Sequence, residues 1–403
     1  MRPEERSLDL AEVEQRLQHW AAERGYETQR QARCRGRWAV WQCQISCDGQ
    51  PVPGGFGVGK GLNPVSRVGA LAEATEHLIS RQRPALAPRS AAAVADDLVG
   101  DAVEPLLREQ PSAQLACTPY RRIDGGGEPV ELPLGLSQPS YYLAARAPGD
   151  TAEYWPVRPY MTNSGTALGA NREEALLHAL NEVAERDALS LLICRAVWGG
   201  EQVAVLDPAS LPVELVEQHR HVEQALAEPV HLLELTTDLG LPTVLAYIAP
   251  HAGRRSYGRG LGASLNPQHA TSRALAELLQ MEIVDGVLDP TELDPLQELN
   301  PLLHAAGRLD LTEHLAHAQP RPYRPCPAPD SVAEQLAEVT RRITTAGYRP
   351  RYRELDTGTS ELAVVHVAVP GLERIMGLLS GYAALPGPRG LAAIHGAPEG
   401  APA

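Results

Sequence analysis

Apolar residues recur every three or four positions in several stretches of this chain, which is the pattern of amphipathic helices. Between them lie shorter runs rich in Val, Ile, Leu, Trp and Tyr, a composition typical of β-strands. The pattern predicts helices over about residues 8–23, 64–81, 91–107, 172–196 and 331–346, with another within 257–287. It predicts strands over about residues 38–45, 203–206, 230–235, 241–248 and 362–369. A mixed α/β (α+β) fold is therefore expected.

Three segments interrupt this pattern. Residues 84–160 are rich in Ala and Pro and are predicted to form a peripheral connection, with edge strands and loops from 128 onward. Residues 288–330 contain prolines and histidines and are predicted to be an insertion without an assignable element. Residues 385–403 are mostly Pro, Gly and Ala, so an extended C-terminal tail is expected.

One short sequence motif occurs three times, at residues 70–76, 179–185 and 274–280, each time within a predicted helix. Residues three apart on a helix point the same way, so each copy presents two oxygen-bearing side chains on one face. These pairs are Glu73 and Glu76, Glu182 and Glu185, and Glu277 and Gln280. A solvated helix face is the competing interpretation for any single copy.

Each copy follows a glycine-rich run, at residues 54–61, 163–169 and 258–262. We interpret these runs as turns that lead into the helices. Backbone amides and a helix N-terminus favour an anion, while carboxylates bind a hard cation. The combination predicts a site for phosphate and metal.

Composition narrows the class of protein. The 403 residues carry 36 basic and 50 acidic side chains, for a net charge of −14, which argues against a nucleic-acid-binding surface. Six scattered cysteines do not suggest a disulfide framework, and Cys34, Cys43 and Cys47 are expected on a strand pair rather than around zinc. The chain shows neither a signal peptide nor a membrane span, so a cytoplasmic location is expected.

Together these motifs resemble the YcaO family. The resemblance rests on Gly59-Lys60-Gly61, the first repeat, Asn163-Ser164-Gly165, Glu182-Val183-Ala184-Glu185-Arg186-Asp187, Arg273 with Glu277 and Gln280, and Val369-Pro370-Gly371-Leu372-Glu373. It implies a single YcaO-type domain over residues 1–403, with helices packed on β-sheets. It also implies an ATP and magnesium core over residues 54–290, between the three carboxylate-bearing helices.

The resemblance implies an enzyme that uses ATP and Mg²⁺ to activate peptide backbone amides. In this family the amide oxygen takes the γ-phosphoryl group, and a nucleophile attacks the activated carbon. A Cys, Ser or Thr side chain of the peptide gives an azoline by cyclodehydration. Other members use sulfide to form a thioamide or an amine to form an amidine, and the sequence leaves these products open.

The same resemblance assigns roles to individual residues. It implies Mg²⁺ ligands at Glu73, Glu76, Glu182, Glu185 and Glu277. It implies nucleotide contacts from Lys60, His77, Asn163, Ser164, Asn171, Arg186, Arg273 and Gln280, with Glu174 and His178 as further candidates. Glu185, Arg186 and Arg273 are the expected catalytic residues. Five converging carboxylates repel one another unless a cation is present, which agrees with a metal site.

Two features depart from the family pattern. Gly69 stands where the family often has Ser, and His77 where Arg is usual. The tail contains Pro386-Gly387-Pro388 but not the alternating Pro-x-Pro-x-Pro of azoline-forming members. The expected partners are a precursor peptide, an E1-like leader-binding protein or a TfuA-like protein, and a flavin-dependent azoline dehydrogenase. A homodimer within that complex is compatible with the apolar second helix, and no nucleic acid or membrane partner is expected.

Two other functions compete with this one. Paired helical carboxylates also build di-iron sites, but those need a Glu-x-x-His motif that the three copies lack. A non-catalytic subunit that binds peptide and scaffolds its partners would explain Gly69 and His77 as signs of decay. The second and third copies favour an active site over such decay.

Overall fold

The computed structural model describes residues 4–144, 146–254, 256–284 and 295–395. The strands in these ranges are β1 (Glu27–Cys34), β2 (Trp38–Cys47), β3 (Gln50–Leu62), β4 (Ala87–Ser90), β5 (Gln114–Arg122), β6 (Val130–Pro133), β7 (Thr166–Gly169), β8 (Ala204–Leu206), β9 (His231–Glu234), β10 (Thr243–Ile248), β11 (Gly258–Ala263), β12 (Pro320–Arg321), β13 (Arg351–Leu355) and β14 (Ala363–Ala368).

The helices in the same ranges are α1 (Leu10–Glu23), α2 (Asn63–Ser80), α3 (Ala91–Asp97), α4 (Glu104–Arg108), α5 (Arg172–Leu192), α6 (Val213–Leu226), α7 (Pro267–Val284), α8 (Pro295–Leu299), α9 (Pro301–Arg308), α10 (Thr312–His317), α11 (Val332–Thr345) and α12 (Pro388–His395). A π-helical segment, Ile193–Trp198, continues α5. No helix of the described ranges combines the length and the apolar character needed to cross a membrane.

The strands form three sheets. The first has the order β1-β2-β3, and the second has the order β11-β10-β9-β8-β12. The third has the order β4-β5-β13-β14-β7, with β6 paired to β5. The expected mixed α/β fold, with helices packed on β-sheets, is confirmed by this architecture.

Each sheet contributes one unit in which a glycine-bearing strand leads into a carboxylate-bearing helix. The first unit is β3–α2, the second is β7–α5 and the third is β11–α7. The interpretation of the three glycine runs as turns was therefore wrong in the main. Much of each run is extended strand, lying against the helix that follows it.

Glycine is required in these strands because the helix backbone lies directly on them. A Cβ atom built on Gly59 would lie 1.7 Å from the Ser66 carbonyl oxygen. A Cβ on Gly260 would lie 2.1 Å from the backbone nitrogen of Leu278. The missing side chains bring strand and helix into backbone contact, which is the use of glycine where two backbones approach closely.

The segment 84–160 differs from the peripheral connection that we expected. It supplies β4, β5 and β6 to the third sheet and buries Val94, Leu115 and Tyr120 in a core cluster. Between residues 128 and 160, where edge strands were predicted, the regular structure of the described residues is limited to β6 and short 3₁₀ turns. The apolar runs here are short and interrupted by proline, so their burial leaves little periodic signal.

The two other irregular segments also contain regular structure. Within the predicted insertion 288–330, residues 288–294 lie outside the described residues, and the rest forms α8, α9, α10 and β12. Strand β12 extends the second sheet by pairing in parallel with β8. Residues 388–395 of the tail form α12 instead of an extended chain, since Pro388 at its first position is compatible with a helix start. Residues 396–403 lie outside the described residues.

Helix α12 is fixed to α5 by a buried ion pair. The Arg389 guanidinium donates from Nε to Asp187 Oδ1 (2.7 Å) and from Nη2 to Asp187 Oδ2 (2.9 Å). Asp187 is fully buried and also accepts the Glu373 N–H at 2.8 Å. The Glu373 carboxylate in turn accepts the N–H groups of Gly387 and Gly390. Helix α12 is thereby anchored beside the Glu182-Val183-Ala184-Glu185-Arg186-Asp187 motif of α5.

Replacing Arg389 with methionine is expected to lower the free energy of unfolding by about 2 kcal/mol. Removing one partner of a buried ion pair leaves an uncompensated charge, and the full cost of about 3–5 kcal/mol is reduced because Asp187 keeps the Glu373 N–H. Urea unfolding measures the change. The matched control is Arg341→Met, which removes an exposed Arg–Glu pair on α11 and should change the midpoint little. Equal midpoints for the two variants would contradict the anchoring role.

Candidate active site

The three strand–helix units meet at one cluster of charged side chains. Lys60, on β3 of the first unit, donates to Glu277 on α7 of the third unit. Arg186, on α5 of the second unit, lies 4.0 Å from the same carboxylate. Arg273 on α7 lies 3.5 Å from Glu185 on α5. Side chains that are far apart in the sequence are thus brought together between α2, α5 and α7.

The carboxylates are positioned by backbone N–H groups of the glycine-bearing strands. The first Glu of each helical pair contacts the strand of its own unit. These contacts are Glu73 with Val58 N (3.1 Å), Glu277 with Leu261 N (3.4 Å), and Glu182 with the Gly165 backbone just before β7. The strands can donate in this way because they lack the side chains that would hold the helices away.

The second Glu of a pair reaches the next unit along the chain. Glu76 of the first unit accepts from Leu168 N of the second at 2.7 Å. Glu185 of the second unit accepts from Ala263 N of the third at 2.8 Å. The Lys60–Glu277 pair joins the third unit back to the first, so the contacts close a ring. Gln280 holds the equivalent position in the third unit, and its buried Oε1 has no hydrogen-bond partner among the described residues.

Burial makes most of these carboxylates costly to ionise. It raises the pKa of Glu73, Glu76 and Glu182, and the charges of Glu182 and Glu73 raise that of Glu76 further. Burial also acts to raise the pKa of Glu277, but Lys60 and Arg186 outweigh it and lower this pKa to about 2. The ring therefore contains more carboxyl groups than cationic side chains, and an added cation would favour their ionised form.

The guanidinium groups of the ring have donors to spare. Nε and Nη1 of Arg186 and Nε of Arg273 are buried without a hydrogen-bond partner in the described part of the chain. Unsatisfied charged donors are costly, and an anion with several oxygens satisfies them. In the part of the chain that the structure describes, no group of three or more Asp, Glu, His or Cys side chains is arranged to hold a metal ion. The arrangement therefore fits a cation that binds together with an anion, as a magnesium nucleotide does.

The remaining predicted site residues differ in their burial and in the contacts that they make near this ring. His77 donates its Nδ1–H to the Phe56 carbonyl oxygen (2.6 Å), and its Nε2 lies 3.8 Å from Glu73 Oε1. His178 is half-buried, and its buried Nδ1 atom has no hydrogen-bond partner among the described residues. Burial, followed by the Arg273 charge, lowers the pKa of this imidazole well below its usual value. Both remain candidates for ligand contact.

Asn163 and Ser164 precede β7, where Asn163 is exposed and the Ser164 hydroxyl accepts from Thr162. The structure gives Asn171 and Glu174 local roles. Asn171 caps α5, with its Oδ1 accepting the Glu174 N–H at 2.9 Å. The Glu174 carboxylate accepts from Arg6 Nη1 at 3.0 Å and from Ser7 N at 2.8 Å.

Sequence reasoning missed the residues that precede α1. Glu5 accepts hydrogen bonds from Asn181 on α5 and from Ser264 beside α7, and it lies 3.6 Å from His269. The pKa of Arg273 is raised overall. Burial acts to lower this pKa, but the negative charges of Glu185 and then Glu5 outweigh it. A short segment before a first helix carries no periodicity, so nothing in the sequence placed it at the ring.

A cavity of about 200 Å³ adjoins the ring. On the side of the ring it is lined by Ser164, Val183 and Arg186. Most of its remaining wall is apolar and comes from the third sheet and the segments around it. These side chains include Leu98, Leu132, Leu136, Met161, Leu372 and Met376. A partly apolar ligand can therefore lie next to the guanidinium group of Arg186.

The family model of the YcaO cyclodehydratases, described as ATP- and Mg²⁺-binding, matches residues 58–373. This chain belongs to the YcaO family. The resemblance noted in the sequence is confirmed, and so are ATP and Mg²⁺ as the cofactors. Family membership agrees with the unsatisfied guanidinium donors and the excess of carboxylates in the ring.

Solved structures show the same fold. A heterocyclase in complex with substrate and cofactor has a TM-score of 0.66 at 19% identity, over 93% of this chain and 54% of the other. YcaO from Methanopyrus kandleri, bound with AMPPCP and Mg²⁺, has a TM-score of 0.62 at 20% identity, over 94% and 95%. The Escherichia coli microcin synthetase McbBCD complex with pro-MccB17 bound has a TM-score of 0.57 at 14% identity, over 85% and 86%.

Curated relatives are similar over shorter stretches. A protein of Rhizobium leguminosarum bv. trifolii, described as uncharacterized and in the tfuA 3′ region, is 27% identical over 225 residues. An uncharacterized protein of Methanothermobacter thermautotrophicus is 37% identical over 120 residues. The matched stretches cover 53% and 29% of this chain, and 52% and 30% of the two relatives.

Proposed function

We propose that this YcaO protein uses ATP to phosphorylate a backbone amide oxygen of a peptide and so forms azolines from Cys, Ser or Thr. The observation that carries the proposal is the closed ring of carboxylates and guanidinium groups beside the cavity. The amide oxygen takes the γ-phosphoryl group and ADP leaves. The side-chain sulfur or oxygen then bonds to the amide carbon, and phosphate departs with the former amide oxygen.

The residues of the ring divide this work between charge and position. Phosphoryl transfer depends chiefly on alignment and neutralisation of charge. Lys60, Arg186 and Arg273 would bind the phosphate oxygens, and the planar guanidinium groups suit bidentate contacts. Glu73, Glu76, Glu182, Glu185 and Glu277 would hold Mg²⁺. Bound Mg²⁺ supplies positive charge that offsets the charge on the transferred group.

The other predicted contacts extend this proposal to the nucleotide. His77, Ser164 and Gln280 would complete its binding, together with Asn163 at the exposed approach to β7. Asn171 is also proposed there, although its side-chain oxygen caps α5 in this structure. The catalytic assignment stays with Glu185, Arg186 and Arg273.

Thioamide formation is a second candidate, in which sulfide replaces the side-chain nucleophile. It is favoured by the similarity to the Rhizobium protein of the tfuA 3′ region. The helix α12, where azoline-forming members commonly have Pro-x-Pro-x-Pro, agrees with this alternative. A TfuA-like partner would accompany thioamide chemistry. An E1-like leader-binding protein and a flavin-dependent dehydrogenase would accompany azoline chemistry, and a homodimer within either complex is part of the proposal.

Mass spectrometry separates these products. The protein is co-expressed with each short peptide encoded beside its gene and with the neighbouring E1-like or TfuA-like protein. An azoline-forming enzyme removes one water per modified residue, and a thioamide-forming enzyme exchanges one oxygen for sulfur. The first mass change is the expected result, and a co-expression with the Glu185→Gln variant is the control.

Two outcomes would count against the proposal. The sulfur exchange would replace azoline formation by the second candidate. Nucleotide binding without peptide-stimulated phosphate release, and without any mass change, would indicate the non-catalytic scaffold subunit.

A further inference from the structure

His366 is the one polar residue in an otherwise apolar strand. Strand β14 has the sequence Ala363-Val364-Val365-His366-Val367-Ala368, and His366 is only 5% exposed. In the sheet it stands between Arg353 of β13 and Thr166 of β7. It lines the cavity that also touches Ser164 and Arg186 of the ring. Nothing in the proposed phosphoryl transfer uses it.

A hydrogen-bond chain fixes the tautomer of this imidazole. Arg353 Nε donates to the Tyr120 hydroxyl oxygen at 3.0 Å, and that oxygen lies 2.9 Å from His366 Nδ1. A guanidinium group can only donate, so the phenol oxygen accepts from it and directs its own proton to Nδ1. The Nδ1 atom is then an acceptor, and the proton of the neutral ring lies on Nε2.

The surroundings also keep the ring neutral. Burial, followed by the charges of Arg353 and Arg374, lowers the pKa of His366 to about 3. A backbone contact with Ser164 opposes this shift, but it does not reach hydrogen-bond geometry at Nε2. Nε2 is buried and has no partner in the described part of the chain. The result is a fixed, uncharged N–H donor in the wall of the cavity.

A histidine with a purely structural role looks different in the same chain. His219 on α6 is also buried, but its Nε2 lies 2.8 Å from the Val230 carbonyl oxygen and its Nδ1 lies 3.5 Å from Glu223. Both of its ring nitrogens therefore face oxygen atoms of the protein. At His366 two residues, Arg353 and Tyr120, orient the ring through one nitrogen, while the other nitrogen has no hydrogen-bond partner among the described residues, as expected of a nitrogen that binds a ligand.

We infer that His366 is a substrate-binding residue whose Nε2–H donates a hydrogen bond to a backbone carbonyl oxygen of the peptide in the cavity. Arg353 and Tyr120 are positioning residues that act through its Nδ1. The identity of the ligand as a peptide rests on the proposed function. The donor itself does not, because it follows from the hydrogen-bond chain and the burial.

The test uses the full chain labelled with ¹⁵N-histidine. Two-bond ¹H–¹⁵N correlation spectra report both ring nitrogens, and the signal lost in His366→Gln assigns His366. We expect the Nε2-protonated neutral ring, and we expect Tyr120→Phe to disturb that tautomer. Titration with N-acetylglycine methylamide, a minimal peptide with two carbonyl groups, should shift the His366 signals and leave those of His219 in place. The titration is run with and without AMPPCP and Mg²⁺.

Substitutions at His366 test the donor more sharply. His366→Leu, which has no donor, should weaken binding of the probe about tenfold, and His366→Gln, which keeps an N–H, by less than about threefold. Affinity for AMPPCP with Mg²⁺ should stay unchanged in both variants. A structural role would predict equal losses of stability and no difference in probe affinity.

Each contrary result has a separate meaning. A ring protonated on Nδ1 would overturn the inference and leave the proposed function standing. So would the absence of any shift of His366 up to 100 mM of the probe, roughly the concentration at which a contact worth one hydrogen bond is half occupied. Failure to bind AMPPCP would overturn the proposed function, and the spectra of the free protein would still decide the role of His366.

Discussion

Glu185→Gln is expected to reduce ATP turnover by roughly 100- to 1000-fold, the loss seen when one preorganised electrostatic group is removed from an active site. Glu185 is 1% exposed, and its carboxylate accepts the Ala263 N–H and lies beside Arg273. Glutamine has almost the same shape and retains an oxygen for Ala263. The substitution therefore removes the negative charge, which would bind Mg²⁺, while the join between the second and third units is retained.

Phosphate release and thermal unfolding, measured on the same preparation, test this expectation. The unfolding midpoint should change little, because the backbone hydrogen bond persists. The matched control is Glu354→Gln, on the exposed face of β13, where the carboxylate pairs with Arg172 at 3.5 Å. Its turnover should equal that of the unmodified protein. Undiminished turnover in Glu185→Gln would contradict the assignment of this residue to the metal site.

The ring contacts explain why three distant copies of one motif form a single site. Each helix is held on its own strand by glycine. The second and third units offer backbone N–H groups both to their own helix and to the helix of the preceding unit. A carboxylate that reaches the next unit, as Glu76 and Glu185 do, joins neighbouring sheets as well as lining the site. Charge that serves ligand binding thus also sets the relative position of the units. This dual use agrees with the buried, raised-pKa state of Glu76.

The helical spacing of the carboxylates was readable from the sequence because periodicity survives in long helices. Helix α5 was predicted at residues 172–196 and observed at Arg172–Leu192, followed by its π-helical continuation. That spacing placed Glu182 and Glu185 on one face, and the structure brings this face to the ring. The convergence of three helices could be expected from the family resemblance, but helical spacing alone does not determine which helices meet.

Other features had no sequence signal of sufficient strength. Strand β1 is mostly polar and its alternate positions are only partly buried, while a buried position of β13 is taken by Arg353. No apolar alternation therefore marks either strand. The amphipathic pattern of helix α1 indicates a buried face but not what covers it: Trp20 is buried, and its indole N–H donates to the Thr357 carbonyl oxygen. The role of His366 depends on Tyr120, 246 residues away, a contact that only the folded sheet creates.

The glycine runs show how one residue type supports two interpretations. Glycine in a sequence indicates either a backbone with positive φ or a close approach of two backbones. Gly61 has a φ of +105°, and Gly165 one of +88°, so the first and second runs do contain a turn-like position, whereas the glycines of the third run have no positive φ. Gly59 does not have a positive φ. Glycine is required there because the backbone of α2 packs directly against it. Only coordinates distinguish these two cases.

Gly59→Ala is accordingly expected to destabilise the fold severely, by at least about 4 kcal/mol, or to prevent folding. Alanine is compatible with the backbone conformation of a strand, so the cost is steric. Its Cβ would lie 1.7 Å from Ser66 O and 2.5 Å from Ala70 N, both of them backbone atoms of α2. Relief requires the helix to move away from β3, which would also withdraw Glu73 from the Val58 N–H.

Gly69→Ala, on the opposite side of the same contact, provides the matched comparison. Its Cβ would meet only the Gly59 Cα, at 3.6 Å, an ordinary van der Waals distance. Because alanine favours a helix interior over glycine, this variant should gain roughly 0.5–1 kcal/mol in free energy of unfolding. Urea unfolding of the two variants measures the difference. A wild-type midpoint for Gly59→Ala, or a loss at Gly69→Ala as large as that at Gly59, would show that β3 and α2 do not pack through glycine. The backbone donors would then need another explanation for their position at the ring.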